Sequence, residues 1–482
     1  MRRAIPLAVL AALVLVGCGS SSSKSANPVT TELSYFPAQT PFVLTIATDP
    51  NASSIKQAHA LEGRFPLASF GQVALMAELN KLGIDYQSDV RPLFGNPAAI
   101  GASGATLSGA AASQFLIAWV TKSASKLSAL VTSLKGLQSA GTHDGAKLYS
   151  AASAALAVDG ATVVFAPTVA SLTTALDRHA HGGGVSSAAF SSATSGLPQN
   201  SLIEAYGNLT GVLAQPSAAK ARLVPWVAAL QGYGVSINAG TSGLTMQYRL
   251  DTSGATLTAA QLPIAPGTTP PSLAGDLPIE VGIRDPAQAV SFAEAAEQAT
   301  SPASYAAYLA RQAALRAKTG VDLNSLLSLL TGDLIVESDT RTTMGRAAVS
   351  NPTAAAHALS ALATAPKSVF AKATSVTSLG GGLYVIKEPG TAITVGLVGN
   401  QLVVGKATPA QLRAFAAAPT TPAAGANGSV AFRIGLIDLL KLTRKTAPSS
   451  AEQMILAALG DVTGWSAASP SGLTGSATLG VK

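Results

Sequence analysis

The residues with the clearest catalytic potential form a serine acyl-transfer pattern. One class of such enzymes places Ser-x-x-Lys at a helix start, where the lysine activates the serine, and adds Ser-x-Asn and Lys-Thr-Gly beside the site. The chain contains the three motifs in this order, beginning at Ser53, Ser236 and Lys318. Ser-x-x-Lys also begins at Ser21 and at Ser123. The motif is therefore common in this chain by composition alone.

The third motif has the wrong predicted context for that chemistry. The enzymes need Lys-Thr-Gly on a strand, but Lys318-Thr319-Gly320 aligns with Lys81-Leu82-Gly83, where a helix ends before another begins. A glycine at a helix C-terminus needs only backbone physics. We therefore predict no catalytic residues and expect that the protein is not an enzyme.

A second group of candidates is the histidine pair His179 and His181. Two imidazoles could share a metal on an extended segment, with Asp177 near. However, the pair precedes Gly182-Gly183-Gly184, and cations followed by glycines are typical of a helix end. We predict no metal site. The pattern of nucleotide-binding loops and of zinc proteases is also missing, so no cofactor is predicted; the other histidines are isolated in sequence: His59, His143 and His357.

The single cysteine, Cys18, carries the most specific chemical signal. Residues 1–17 have a positive start at Arg2 and Arg3 and a short apolar run from Ala4 to Val16, which is typical of a signal peptide. The run is shorter than the roughly 20 residues of a membrane-spanning helix. Gly17 and Cys18 end a stretch that resembles the bacterial lipobox, which implies cleavage between them and a lipid, such as palmitate, on Cys18.

The segment after Cys18 predicts how the protein sits at its membrane. Residues 18–32 are serine-rich at their start and are typical of a flexible tether. We expect an exported protein, anchored by lipid alone to the outer face of the cell membrane. Its partners would be that membrane and an envelope protein or a lipid.

Composition excludes other function classes. Of 482 residues, 48% are apolar and 11% are charged, so the chain can bury a large core. The net charge of +7 comes from scattered lysines and arginines, without a basic block interleaved with aromatic residues. Nucleic-acid binding therefore has no support. Disulfides and thiolate metal sites are excluded from the body because no second cysteine is present.

An internal repeat sets the predicted fold. Five residues of the first half of the sequence recur in the same order in the second half. The matched pairs are Asp49 with Asp285, Gly83 with Gly320, Gly95 with Gly332, Val163 with Val403 and Ser242 with Ser471. The two Asp-Pro pairs predict helix N-caps with proline at the first helical position. Asp159-Gly160 and Gly399-Asn400 predict tight hairpins. The repeat therefore predicts two tandem modules at residues 33–254 and 273–482, joined by a Pro/Gly-rich linker at 255–272.

Hairpins imply antiparallel pairing. We therefore predict an α+β fold in which each module is a mainly antiparallel, curved sheet with helices packed on it. Composition also predicts that Gly182 to Gly196 is a flexible surface loop.

The tether, the opening segment from Tyr35 to Pro50, the element ending at Gly95 and the tandem modules resemble one bacterial envelope family. That family is catalogued as domain of unknown function thirty-three fifty-two. The resemblance implies an exported, often lipid-anchored protein. It implies no activity, substrate or catalytic residue.

Three functions remain open at this point. The first is non-catalytic binding or scaffolding in the cell envelope, which fits the tether, the repeat and the lack of a catalytic set. The second is a carrier of an apolar ligand such as a lipid, although an ordinary core gives the same composition. The third is a serine hydrolase of envelope substrates, for which the sequence offers no convincing trio of nucleophile, base and oxyanion site. We favour the first.

Overall fold

A computed structural model describes residues 28–64, 76, 79–81, 83–104, 115–134, 136–151, 154–252, 256–365, 367, 373–443 and 449–482. The predicted cleavage and lipid-modification residues, Gly17 and Cys18, lie outside the described residues. We call residues 28–252 the first half and residues 256–482 the second half. Within the described residues, no helix combines the length and apolar character needed to cross a membrane.

The helices are mostly short and are capped by local sequence signals. Thr168, Ser186 and Thr408 each accept a hydrogen bond from a backbone N–H in the first turn of the helix that follows, as hydroxyl side chains commonly do at an N-cap. The α-helices are α1 Pro28–Leu33, α2 Ser53–Glu62, α3 Ala124–Ser133, α4 Val169–His181, α5 Ser187–Ala193, α6 Leu209–Leu213, α7 Pro225–Ala228, α8 Pro286–Thr300, α9 Pro302–Thr319, α10 Leu323–Leu327, α11 Pro352–Thr364, α12 Pro409–Ala417, α13 Leu436–Thr443 and α14 Ser450–Ala458.

The strands are connected mainly by tight hairpins. They are β1 Val43–Ile46, β2 Ala98–Ala102, β3 Phe115–Val120, β4 Gln138–His143, β5 Ala146–Ala151, β6 Ala154–Asp159, β7 Thr162–Ala166, β8 Ile203–Asn208, β9 Gly232–Gly240, β10 Gly243–Asp251, β11 Ser272–Leu273, β12 Ile279–Arg284, β13 Leu330–Ser338, β14 Thr343–Val349, β15 Ser375–Ser378, β16 Leu383–Glu388, β17 Thr391–Val398, β18 Gln401–Lys406, β19 Thr421–Pro422, β20 Val430–Ile434, β21 Leu459–Ser469 and β22 Gly472–Val481.

Twenty of these strands form one open sheet in which every neighbouring pair is antiparallel. The order is β4-β5-β6-β7-β3-β2-β1-β8-β9-β10-β22-β21-β20-β12-β13-β14-β18-β17-β16-β15. The remaining strands, β11 and β19, pair with each other. The predicted α+β class with mainly antiparallel pairing is thus confirmed, but one continuous sheet is found where a separate sheet was predicted for each module.

The strand order reads the same from each outer edge toward the middle. We number the ten sheet strands of each half from one to ten in chain order. From the outer edge of the sheet inward, the strand order is then 4-5-6-7-3-2-1-8-9-10 in both halves. The tenth strands, β10 and β22, pair with each other and join the halves. We call this β10–β22 pair the seam.

Helices cover both faces of the sheet in the first half. Successive residues of a strand point to opposite faces, so neighbouring residues pack against different helices. Val164 packs in the cluster that contains Leu172 and Leu176 of α4. Its neighbour Val163 packs on the other face, in the cluster that contains Leu127 and Leu130 of α3. In the second half, α12 and α11 contribute to clusters on β18 in the same way, through Val403 and Leu402 respectively.

One of the predicted equivalences needs correction. Gly160 and Gly399 both have positive φ directly after β6 and β17. Counting four residues onward from each glycine gives Val164 and Val403, so the predicted match of Val163 with Val403 is wrong by one residue. In a strand, that slip would move the side chain to the opposite face.

Of the two predicted aspartate caps, the one at Asp49 is wrong, whereas Asp285 does occupy the N-cap position with Pro286 at the first helical position. Helix α2 begins at Ser53 with Ala52 at its N-cap, and Asp49 accepts a hydrogen bond from the Asn51 N–H instead. Asp285 does precede α8, but its φ is 49° and its side chain makes no capping bond. By contrast, Asp85 and Asp322 both accept capping bonds, from the N–H groups of Ser88 and Asn324.

The segment from Gly182 to Gly196 is not the flexible loop that its composition predicts. It contains α5, whose Phe190 is buried in the core. Gly184 also approaches Ser34 so closely that a Cβ there would overlap the Ser34 backbone. The described end of the predicted tether is ordered too, since α1 buries Glu32 and Leu33. In the predicted linker, Leu262 is fully buried.

Candidate binding groove

The seam has a local two-fold arrangement. Gln247 is the fifth residue of β10, Ser476 is the fifth residue of β22, and the two lie directly opposite each other. Because equal positions face each other in an antiparallel pair, the two final strands contribute equivalent surfaces. One residue away, Tyr248 lies opposite Gly475 and its hydroxyl hydrogen-bonds with Ser466 Oγ at 2.6 Å.

Two neighbouring cavities lie along the seam and share one side chain, the half-buried Trp465. The first has a volume of about 430 Å³ and the second about 400 Å³. Both fall within the range of roughly 300–1,000 Å³ that is usual for small-ligand sites. We call the two cavities together the seam groove.

Short segments from each half line the groove. The loop after α5, at Ser195 to Leu197, lines the second cavity. Residues 421–426, which begin with β19, line the first cavity.

Strand register explains why the groove floor is polar. Trp465 of β21 lies opposite Ser476, and Thr463 lies opposite Thr478. The hydroxyl groups of Thr478 and Thr245 lie 3.0 Å apart across the seam. These side chains share one face of the sheet, because they occupy opposed or alternate positions along the strands.

A buried carboxylate lies at the inner end of the first cavity. Glu280 of β12 has no exposed surface, and its Oε2 has no hydrogen-bond partner among the described residues. Its Oε1 accepts a hydrogen bond from Arg433. A buried carboxylate oxygen without a donor is destabilising, so this end of the cavity offers an unsatisfied acceptor.

Arg433 is held in place by several acceptors. It donates to Asp461 Oδ2 at 3.0 Å and to the carbonyl groups of Gly275 and Leu277 at 3.3 Å. Burial acts to lower the pKa of Arg433, but the hydrogen bonds to Glu280 and Asp461 outweigh it and raise the pKa. The guanidinium therefore stays charged and pairs with Glu280.

The second cavity also has an arginine whose charge is partly paired. Arg249 donates to the carbonyl oxygen of Ser195 at 3.2 Å and lies 3.9 Å from Asp251. Gln247 and Thr474 add neutral polar groups to this cavity. The groove thus combines one aromatic ring, several hydroxyl groups and an amide with charges that are largely neutralised.

The serine acyl-transfer residues occupy separate environments. Ser53 and Lys56 are exposed on α2, which packs on β9. Ser236 is buried in β9. Lys318 lies in the last turn of α9, where its Nζ is 3.5 Å from the Thr364 carbonyl oxygen. As predicted, Gly320 ends this helix with a left-handed conformation.

His179 lies in the last turn of α4, as predicted, with Gly182 at the C-cap. Its ring stacks on Tyr35 at 4.4 Å, and its Nδ1 lies 2.5 Å from Ser34 Oγ. Ser34 Oγ in turn donates to the Thr31 carbonyl oxygen at 2.6 Å. The histidine therefore fastens α4 to the end of α1.

His143 is isolated from the other histidines in sequence, but in the structure it has two carboxylate neighbours. Its Nε2 lies 2.7 Å from Asp177 Oδ1 and 3.5 Å from Asp144 Oδ2. The hydrogen bond with Asp177 is the main reason that the pKa of His143 is raised. The sequence gives no signal for this cluster, because 34 residues separate the histidine from Asp177. All three side chains are substantially exposed.

Sequence reasoning also missed the whole seam groove. Its members come from β10, β12, β20, β21 and β22. Those of the first cavity become neighbours through strand pairing within the second half, and those of the second cavity through the pairing of β10 with β22. The one available signal was the identical Ser-Gly-Leu-Thr stretch before β10 and β22, which marks the two hairpins but not their contact.

A family model described as "Protein of unknown function (DUF3352)" matches residues 4–362. The chain belongs to this family. No curated protein matches the chain.

Among solved structures, crystal form III of TP0453 is similar at 10% identity over 48% of this chain and 83% of that one, with a TM-score of 0.27. Crystal form I of TP0453 is similar at 11% identity over 49% and 83%, also with a TM-score of 0.27.

Proposed function

We propose that the protein is a lipid-anchored, non-catalytic binding protein of the cell envelope, built from two copies of one α+β module. Its ligand would occupy the seam groove. The observation that carries this proposal is the pair of cavities that share Trp465 and end at the unpartnered Oε2 of Glu280.

The two-module origin is supported by the identical strand order of the halves. It is also supported by left-handed glycines at matching places, such as Gly83 and Gly320 before the capping aspartates. Duplication accounts for the seam, because the final strand of each copy would otherwise be an exposed sheet edge. Such edges are prone to pair with another strand.

Non-catalytic binding fits the chemistry of the groove. Glu280, Arg433 and Asp461 form one hydrogen-bonded set, and no histidine or lysine lines either cavity among the described residues. A hydrolase would need a nucleophile beside a base and an oxyanion site. The one carboxylate in the described lining of the first cavity, Glu280, is paired with Arg433, so the hydroxyl groups of Thr463, Ser476 and Thr478 have no unpaired base in that lining.

A second candidate function is supported by a different hollow. Leu334, Val336, Ile393 and Val404 line an apolar depression of about 420 Å³ on β13, β14, β17 and β18. Val404 is 40% exposed there, and large apolar exposed patches often mark binding sites. This hollow favours the alternative of a carrier for an apolar ligand.

Hydrogen exchange on the full-length protein tests both functions. Envelopes of the producing cells would be separated into soluble saccharide, peptide and lipid fractions, and each would be added in turn. We expect one fraction to slow amide exchange in β10, β21 and β22, and Trp465→Ala to remove the effect. Protection confined to β13, β17 and β18 by the lipid fraction would instead support the carrier. Unchanged exchange with all three fractions would contradict both functions.

A further inference from the structure

The seam groove pairs an accessible aromatic face with a ring of hydroxyl groups. Trp465 is half-buried, Thr463 lies two residues before it on β21, Ser476 lies opposite it on β22, and all three line the same cavity. Aromatic side chains with polar surroundings bind ligands that have one apolar face and one polar edge. A pyranose ring has this character, since its C–H groups form apolar patches and its hydroxyl groups form a polar rim.

The second observation is the unsatisfied acceptor at the inner end. Glu280 lines the same cavity as Trp465, is fully buried, and has no donor for Oε2 among the described residues. Within the described sheet, Arg433 supplies a donor only to Oε1. A ligand hydroxyl group that donates to Oε2 would remove the penalty of the bare oxygen.

The charged residues of the first cavity also restrict the class of ligand that it can bind. The described lining of the first cavity contains one acid, Glu280, and one base, Arg433, and these two pair with each other. The cavity therefore offers no unpaired positive charge for a phosphate or carboxylate. It favours a neutral ligand with several hydroxyl groups.

From these features we propose that the first cavity binds a sugar unit of a neutral saccharide, with the ring on Trp465 and a hydroxyl group donating to Glu280. This inference rests on the proposed binding function of the seam groove. The groove continues past Trp465 to Gln247 and Thr474 in the second cavity, so the ligand extends over more than one sugar unit.

Tryptophan fluorescence gives a direct test with the full-length protein. The chain has three tryptophans, and Trp119 and Trp226 are buried, so acrylamide quenching reports mainly on Trp465. The probes are maltohexaose, mannohexaose and the tetramer of N-acetylglucosamine, with oligogalacturonate as the anionic comparison. We expect at least one neutral probe to protect Trp465 from quenching in a saturable way, and oligogalacturonate to bind more weakly.

Matched variants distinguish loss of the proposed ligand contact from general destabilisation of the fold. Glu280→Gln should weaken binding by about tenfold or more, because the acceptor is replaced by an amide. Glu32→Gln is the control, since Glu32 is also fully buried with an unpartnered Oε2 but lies in the first half and lines neither cavity. It should change affinity by less than about twofold. If Glu280→Gln fails to fold, Thr463→Val, at an exposed floor position, provides the second variant and should also weaken binding.

The outcomes distinguish this inference from the broader function. If no saccharide protects Trp465 while the peptide or lipid fraction still slows exchange in β10, β21 and β22, the saccharide inference is wrong and the binding function stands. If saccharides bind equally to wild type and to both groove variants, the inference is also overturned. If nothing affects the groove, both proposals fail.

Discussion

Gln247 and Ser476 face each other at the centre of the seam, each as the fifth residue of the last strand of its half. This relationship makes the single sheet continuous across the chain. It also means that any strain in β22 reaches β10 directly. The adjacent pair, Tyr248 and Gly475, is the most specific contact of the seam, because the tyrosine ring occupies the space that a side chain at Gly475 would need.

The first prediction concerns this tyrosine. Tyr248→Phe removes the hydrogen bond to Ser466 and should lower the free energy of unfolding by about 1 kcal/mol. Gly475→Val should cost about 1–3 kcal/mol, because the new side chain overlaps the ring. Urea denaturation measures both. Combining Tyr248→Phe with Ser466→Ala should add little further loss, and full additivity would show that the hydrogen bond is not the relevant interaction.

The second prediction concerns pH. Burial raises the pKa of Glu32 well above its ordinary value of 4.5, against the lowering effect of the hydrogen bond from the Val120 N–H. A raised folded pKa means that the folded state holds the proton longer than the unfolded state. The stabilisation is therefore complete below about pH 4.5 and is lost as the pH rises through the folded pKa.

Glu32→Gln does not ionise and should escape that loss. We expect the variant to gain stability relative to wild type as the pH is raised from 4.5 toward 8, measured by urea midpoints. Glu297→Gln, at an exposed position, should follow the wild-type curve. Parallel curves for wild type and Glu32→Gln would show that Glu32 does not retain its proton.

The third prediction concerns Arg346, a buried arginine in β14. It donates to the carbonyl oxygens of Phe415, Ala416 and Ala418 and lies over the Phe415 ring. Arg346→Lys keeps the charge but loses the planar fork that reaches several acceptors. Thermal and urea unfolding should show a loss of about 3 kcal/mol. Arg413→Lys on the exposed face of α12 is the control, and an equal loss there would contradict the assigned role.

The sequence predicted those parts of the fold that depend on local physics. The hairpin glycines Gly160 and Gly399 and the helix-ending glycine Gly320 each adopt a positive φ that a turn or a helix end requires within a few residues. The hairpins likewise predicted antiparallel pairing. The Val163 error shows the limit of this reasoning, because loose sequence similarity does not fix register to one residue.

The candidate site could not be predicted because it depends on long-range pairing. Glu280 and Trp465 are separated by most of the second half, and they share a cavity because β12, β20 and β21 are adjacent in the sheet. Composition gave a wrong prediction for Gly182 to Gly196. Its serines and glycines predicted a flexible loop, but the buried side chain of Phe190 packs α5 onto the core. The groove wall formed by Ser195 depends on that helix.

The fourth prediction addresses the serine hydrolase alternative. Ser53 and Lys56 lie on α2, whereas Lys318 lies at the end of α9 rather than on a strand. We expect no covalent adduct of a β-lactam probe at Ser53, measured by mass spectrometry of the intact protein and its peptides. Ser53→Ala serves as the control. A mass increase that maps to Ser53 and disappears in the variant would overturn the non-enzyme proposal.

The fifth prediction is lipid modification of Cys18. The positive start, the short apolar run and the lipobox-like end are the order that export and lipidation require, and Cys18 is the only thiol in the chain. Cells grown with an alkyne analogue of palmitate should label wild type and Ser21→Ala but not Cys18→Ser. Wild type should also fractionate with membranes, because two or more acyl chains give stable anchoring whereas one alone binds weakly. Equal labelling of wild type and Cys18→Ser would place the lipid elsewhere, and unlabelled wild type would contradict the anchor itself.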